Sequence, residues 1–185
     1  MNIAFRNTGQ AYGLVAQFLH WSVVAGISLQ FFWAWRIDES ESIRQQFALV
    51  NQHKSIGMTV LALVALRLAW RAFNRPPAYP GHMSRWQRRA ASATHWLLYG
   101  VIVLMPLSGW AYSSAAGYGA EFFGLVEIPG FVPDSEALEE LFEELHEALA
   151  EALIVLVAVH VLAALLHQFV FKDGLIRRML PLWKK

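Results

Sequence analysis

Long apolar runs alternate with shorter polar segments along the 185-residue chain. The runs cover about residues 14–35, 52–73, 90–112 and 145–171. Each is close to the roughly 20 residues that an α-helix needs to cross the hydrocarbon core of a bilayer. The pattern therefore predicts an all-α fold, an integral membrane four-helix bundle, with residues 1–185 forming a single transmembrane domain.

The composition agrees with this prediction. Hydrophobic residues make up 56% of the chain and charged residues only 16%, which excludes a disordered chain and an ordinary soluble domain. The chain contains no cysteine. Disulfides, iron–sulfur clusters and thiolate ligands are therefore excluded, and any haem must be held noncovalently.

The charges of the connecting segments predict how the chain sits in the membrane. The connection between helices two and three contains only basic charges, and the C-terminal tail is mostly basic. The third connection is acidic, with Glu121, Glu127, Asp134, Glu136, Glu139, Glu140, Glu143 and Glu144. Because basic segments stay on the cytoplasmic side, we expect both termini and the second connection in the cytoplasm.

The third connection ends in an amphipathic segment, residues 136–147. It predicts either an extension of helix four beyond the outer membrane surface or a break near Leu145. Its acidic positions fit a solvated helix face, and the other interpretation is a docking surface for a cationic partner.

Histidines recur in the apolar runs. Placing an imidazole in hydrocarbon costs free energy unless the ring has a hydrogen-bond partner or binds a metal. In helix four, His146 and His160 are 14 residues apart, which places both rings on one face about 21 Å apart along the axis. His167 follows seven residues later, some 10 Å nearer the cytoplasm. His82 lies in the basic connection, where we expect it to be solvated.

Histidines on the other helices fall at matching depths. On the outer side the candidates are His53 and His146, which pair by elimination if a haem is bound there. On the inner side there are four candidates: His20, His95, His160 and His167. Depth alone does not choose between His160 and His167 as the partner of His20. Facing histidines at two levels favour two bis-histidine haems over structural zinc, which gathers three or four ligands, and over a proton relay.

Four ordered motifs then carry a resemblance over nearly the whole chain. They are FLHWS in helix one, NQHKSIGMTVLALVALRLAWR in helix two, THWLLYGVIVLMPLSGW in helix three, and LHEALAEALIVLVAVHVLAALLHQFVFKDGLIRRMLP in helix four and the tail. Together they resemble the bacterial cytochrome b561 family of the inner membrane. One branch of that family is assigned superoxide:ubiquinone oxidoreductase activity.

The resemblance implies roles for individual residues. It makes His20 and His160 the axial ligands of a cytoplasmic-side haem b, and His53 and His146 those of an outer-side haem b. The positions of His95 and His167 are similar to those that line a quinone site in the family. Neutral histidine suits such a site, because quinone reduction needs protons as well as electrons.

The implied function is electron transfer through the membrane between an outer donor and ubiquinone, with lipid and quinone as partners and no nucleic acid. Superoxide is the donor that the resemblance suggests. The acidic third connection should repel this anion, whereas Lys54, Arg36 and Arg44 would attract it. The alternatives are a cytochrome b membrane-anchor subunit of a larger quinone-linked dehydrogenase or hydrogenase complex, and a haemless transporter. The sequence identifies no catalytic side chain.

Overall fold

The computed structural model describes residues 4–180, which form four long helices, one short hairpin and a 3₁₀ turn. In chain order the elements are α1 (Leu14–Asp38), α2 (Ile43–Phe73), α3 (Arg85–Ala115), β1 (Ala120–Phe122), β2 (Val126–Ile128), α4 (Glu136–Phe169) and the turn Ile176–Arg178. All four helices are long and apolar enough to cross a membrane. The predicted all-α membrane bundle is confirmed.

The helices differ from the predicted runs mainly at their polar ends. α2 begins at Ile43 rather than near residue 52, and α4 begins at Glu136 and continues through Leu145 without a break. The apolar run marks the part of a helix that meets hydrocarbon, whereas the backbone hydrogen bonds continue into the neighbouring segments of mixed polarity. Glu136 and Glu139 lie in the first turn of α4, where negative charge is favourable at the positive end of the helix dipole.

A capping box starts α3. The Ser84 hydroxyl accepts from the backbone N–H of Gln87 at 3.2 Å, and the Gln87 side chain accepts from the Ser84 N–H at 2.8 Å. The preceding connection contains Pro76, Pro77 and Pro80, which do not continue a helix. This connection turns the chain back into the membrane.

Packing follows chain order, with α1 against α2, α2 against α3 and α3 against α4. Within residues 4–180, no Cα atom of α4 lies within 8 Å of a Cα atom of α1 or α2. Packed helices have axes only about 8–10 Å apart, so α4 stands away from those two helices. Side chains span the resulting space.

The buried apolar cluster fills the middle of that space. It consists of Val23, Val60, Val64, Ile102 and Leu153. Leu153 lies seven residues from His146 and seven from His160 on α4. The apolar cluster therefore separates two sets of histidines, one at each end of the bundle, which we call the outer pair and the inner group after the orientation predicted from the charges.

The short hairpin was not predicted from the sequence. Its strands pair antiparallel, with Glu121 opposite Glu127, and it folds over the outer end of α2. The buried Ser55 hydroxyl lies 2.7 Å from the Glu121 carbonyl and accepts from the Phe123 N–H at 3.0 Å. This contact fixes the hairpin two residues from His53.

Replacing Ser55 by Ala is expected to loosen the hairpin. The Phe123 N–H would lose its partner, at a cost of about 1–3 kcal/mol, so backbone amides of the hairpin should exchange with solvent about tenfold faster or more. Hydrogen–deuterium exchange of peptides covering residues 120–128 measures this. Thr59→Ala is the matched control, because the Thr59 hydroxyl bonds the Ser55 carbonyl of its own helix. Equal exchange in both variants would contradict the role given to Ser55.

Candidate functional site

The outer pair consists of His53 on α2 and His146 on α4. Their ring centroids are 6.2 Å apart, with an angle of 75° between the ring planes. A metal–imidazole nitrogen bond is about 2.0 Å and the ring centroid lies about 1 Å further out, so two rings on one metal have centroids about 6 Å apart. The observed separation fits one metal ion between the two rings.

Contacts with α3 orient the His146 ring. Its Nδ1 lies 3.1 Å from the Met105 carbonyl and 3.0 Å from the Ser108 hydroxyl. Donation from Nδ1–H to the carbonyl leaves Nε2 unprotonated, which is the form that binds a metal. A Cβ atom at Gly109 would lie 2.9 Å from the His146 ring, so only glycine lets the ring sit here without movement. The sequence pattern did not reveal Ser108 and Gly109 as part of the site.

The rings of His53 and His20 lack the contacts of ordinary structural histidines. In both residues, Nδ1 is buried and has no hydrogen-bond partner within the described chain. Buried polar atoms are normally hydrogen-bonded, and an exception needs an explanation. A metal ion bound by each ring would account for a buried imidazole without such a partner.

The inner group contains three histidines from three helices. The ring of His160 on α4 lies 6.5 Å from that of His20 on α1 and 5.4 Å from that of His95 on α3, centroid to centroid. His160 is thus at the level of His20. The structure brings His95 into the same group.

His167 lies in a different set of contacts. Its Nδ1 is 2.5 Å from Oδ2 of Asp173, and its ring packs against Phe171 with centroids 5.1 Å apart. The sequence left His160 and His167 open as partners of His20, and the geometry favours His160. His82 is exposed as expected, but its Nε2 lies 3.4 Å from the same oxygen of Asp173.

Two arginines stand beside the inner group. The Arg67 guanidinium lies 5.3 Å from the Tyr99 ring centroid, and Arg71 lies between Tyr99 and Trp96 at 5.7 and 5.4 Å. Within the described residues, neither arginine forms an ion pair with a carboxylate. Partly buried cations without an acidic partner suit an anionic group such as the propionates of a haem.

The glycines differ in what they do. Added Cβ atoms at Gly26 and Gly57 would meet Val60 at 2.6 Å and Gln30 at 2.9 Å, so these two glycines allow close packing of α1 on α2. A Cβ atom at Gly100 on α3 would meet nothing within 4 Å. Of these three helix glycines, Gly100 is the one with open space beside it.

A cavity of about 330 Å³ lies at the outer end, between α2 and the hairpin. Lys54 lines it, with its Nζ 5.8 Å from the Tyr118 ring centroid. Glu121 and Glu127 also line it, whereas Arg36 and Arg44 are not among its lining residues. Of the three cations expected to form a positive entrance, Lys54 is the one that lines this cavity.

The donor set excludes an ordinary zinc site. Within residues 4–180, no group of three or more His, Cys, Asp or Glu side chains is placed to hold a metal ion. Structural zinc needs such a group, whereas a haem iron needs only two axial ligands from the protein. The residues present therefore fit haem at two levels of the bundle.

Comparison with known proteins agrees with this geometry. The family described as "Prokaryotic cytochrome b561" matches residues 11–182. "Cytochrome b561 homolog 2" of Escherichia coli (strain K12) is 30% identical over 179 residues, which cover 96% of this chain and 95% of that protein.

Two further relatives match over a shorter length. "Cytochrome b561 homolog 1" of Escherichia coli (strain K12) is 33% identical over 129 residues, 70% of this chain and 73% of that protein. "Probable superoxide oxidase CybB" of Yersinia pestis is 30% identical over 130 residues, with the same two shares.

Proposed function

The chain belongs to the prokaryotic cytochrome b561 family, and from this premise we propose that it carries electrons through the membrane from an outer donor to ubiquinone, using two haems. As a member of that family it is a membrane protein of electron transport that binds haem b. The observation that carries the proposal is the pair of facing histidine contacts, His53–His146 and His20–His160, at opposite ends of one bundle.

In this proposal the four histidines are the axial ligands. His53 and His146 would hold the outer haem, and His20 and His160 would hold the inner one. The Met105 carbonyl keeps the His146 ring in the tautomer that ligates, and Gly109 gives it room against α3. Bound haem supplies a one-electron carrier at each level.

In this proposal the bundle separates the two haem sites by an apolar region. The buried cluster around Leu153 fills the space between them with apolar side chains. Such surroundings exclude water and, together with the axial ligands, set the reduction potentials. His146 and His160 lie about 21 Å apart along α4, so electrons would cross most of the membrane between them.

Ubiquinone would be reduced at the inner end, with His95 and His167 as candidate residues of the quinone site. The two histidines belong to different contact groups, His95 beside His160 and His167 on Asp173. Quinol formation takes two electrons and two protons, and an imidazole N–H is a suitable proton donor. His167 lies close to the end of α4, where protons would arrive from the cytoplasm.

The outer donor is proposed to be a small oxidisable anion, with superoxide as the first candidate. The name of the Yersinia pestis relative, a probable superoxide oxidase, supports this. Lys54 follows the proposed ligand His53 directly and gives the outer cavity a positive group. Glu121 and Glu127 in the same cavity oppose it, so the approach depends on the local position of Lys54.

We place the chain in the bacterial inner membrane with both termini in the cytoplasm. The arginine-rich connection between α2 and α3 and the basic tail support this orientation. The His20–His160 end then faces the cytoplasm, and the hairpin and the acidic part of α4 face outward.

The test is electron transfer by the purified protein in liposomes that contain ubiquinone. Superoxide generated outside the liposomes should reduce the haems, which is observed as a change in their absorption bands. One ubiquinol should form for every two electrons taken up. Failure of superoxide to reduce the haems, while dithionite reduces them, would reject the donor. Reduced haems without quinol formation would reject ubiquinone as the acceptor.

A second candidate is a membrane-anchor subunit of a larger quinone-linked enzyme. It is favoured by the acidic N-terminal part of α4, where Glu136, Glu140 and Glu144 are among the exposed residues and have no hydrogen bond or ion pair to α3 within the described chain. Gentle purification separates the candidates, because an anchor would bring catalytic subunits with it in equal amounts. A chain that purifies without them and reduces quinone would reject the anchor function.

A further inference from the structure

The inner end contains one buried carboxylate that the haem sites do not use. The Asp173 side chain is 0% exposed, although it lies beyond the end of α4. Oδ2 accepts from Nδ1–H of His167, and Oδ1 accepts from the backbone N–H of Leu175 at 3.1 Å. Nε2 of the exposed His82 approaches Oδ2 at 3.4 Å. A buried charge is kept only where it is paired and hydrogen-bonded, and these contacts meet that requirement.

The backbone turns back to bring this carboxylate to His167. Lys172 has φ 54° and Gly174 has φ 72°, both in the left-handed region, on either side of Asp173. Such a conformation is unfavourable for lysine and persists where surrounding contacts determine it. The Asp173 N–H also donates to the His167 carbonyl at 3.2 Å. The local fold is thus built around the contact between these two residues.

We propose that Asp173 is a positioning residue for proton delivery to quinone: it holds the His167 ring by Nδ1, so that Nε2 is the atom that passes the proton to the quinone. This inference rests on the proposed function, in which His167 belongs to the quinone site. The carboxylate acts through His167 and does not touch the quinone itself.

The chemistry balances with the electrons that the bundle supplies. Each reduction adds two electrons to the quinone, and each of its two oxygens gains one proton. In a delivery step the Nε2–H bond of His167 breaks and an O–H bond of the quinol forms. His167 then keeps its Nδ1–H on Asp173 and regains a proton at Nε2 from cytoplasmic water before the next delivery.

The charges around Asp173 support an ionised carboxylate. Burial raises the pKa of Asp173, but the hydrogen bonds from His167 and from the Leu175 N–H outweigh this effect and leave the pKa below its ordinary value. Lys172 and Arg177 line a cavity of about 380 Å³ together with Asp173, and His82 faces it from the α2–α3 connection. Asp173 is therefore negative at neutral pH and accepts the hydrogen bond from the imidazole that it holds.

The test compares quinol formation from a short-chain ubiquinone between pH 6 and 9 in holo protein. Asp173→Asn should slow the reaction about tenfold or more across this range, because the imidazole loses the charged acceptor that holds it at Nδ1. Asp173→Glu, which keeps the charge, should recover part of the rate. Arg178→Gln is the matched control, since Arg178 holds the same tail by donating to the Ala78 carbonyl at 2.7 Å. It should keep the wild-type profile.

Each other outcome overturns the inference. A wild-type rate and profile in Asp173→Asn, together with a slow His167→Gln variant, would reject the role of Asp173 and leave the quinone site standing. A wild-type rate in His167→Gln would reject the quinone site first and this inference with it. Loss of haem absorption in both Asp173 variants, or the same defect in Arg178→Gln, would show that Asp173 only holds the tail in place.

Discussion

Replacement of His53 by Ala is expected to halve the haem content of the purified protein and to leave the inner haem in place. His53 and His146 face each other alone at the outer end, with ring centroids 6.2 Å apart. Removal of one axial ligand leaves a b-type haem without the bond that holds it, since the chain has no cysteine for covalent attachment. The buried cluster around Leu153 separates this level from the inner one, so the second site should stay intact.

The haem-to-protein ratio of each variant measures this effect. His146→Ala should give the same result as His53→Ala, and the remaining haem should keep a bis-histidine spectrum. The exposed His82 provides the control, because His82→Ala removes an imidazole outside both levels and should keep the full haem content. Full occupancy of both sites in either outer variant would contradict the pairing of His53 with His146.

Replacement of His160 by Ala is expected to remove the inner haem and to stop quinol formation. The outer haem should stay reducible by the donor, because its ligands are unchanged. His20→Ala should behave in the same way, since His20 faces His160 with ring centroids 6.5 Å apart. The donor would then reduce the outer haem, but no electron would reach the quinone at the inner end.

The His95 ring lies even closer to His160, so His95→Gln is the decisive comparison. We expect this variant to keep both haems and to slow quinol formation, in accordance with a place in the quinone site. Haem content and the quinone-independent reduction of the outer haem are measured on the same samples. Loss of the inner haem in His95→Gln, with retention in His20→Ala, would exchange the two roles.

The helices were predictable because a helix that crosses hydrocarbon needs a long apolar segment, and such segments are visible directly in the sequence. The family could also be recognised from its four ordered motifs, and that prediction is confirmed. The ends of α2 and α4 were not predictable in the same way, since residues 43–51 and 136–144, which mix polar and apolar side chains, continue the helices outside the apolar runs. The strands of the hairpin are only three residues long, too short for a periodic signal.

The candidate site likewise has features that the sequence predicts and features that only the structure shows. The spacing of His146 and His160 on one helix predicts two levels, because an α-helix has a fixed rise and turn. The supporting contacts depend on residues far apart in the sequence. Ser108 meets His146 across 38 positions, and Ser55 meets Glu121 across 66. No local pattern marks such partners, and Asp173 likewise shows its role only once the tail folds back onto α4.

The proposal depends most on two haems held by facing histidines at opposite ends of one bundle. The most direct measurement is the haem content per purified chain, determined from the alkaline pyridine spectrum and from protein concentration, together with a redox titration. We predict two b-type haems per chain that titrate as separate centres. A single haem per chain, or a colourless protein after expression with ample haem supply, would contradict the account.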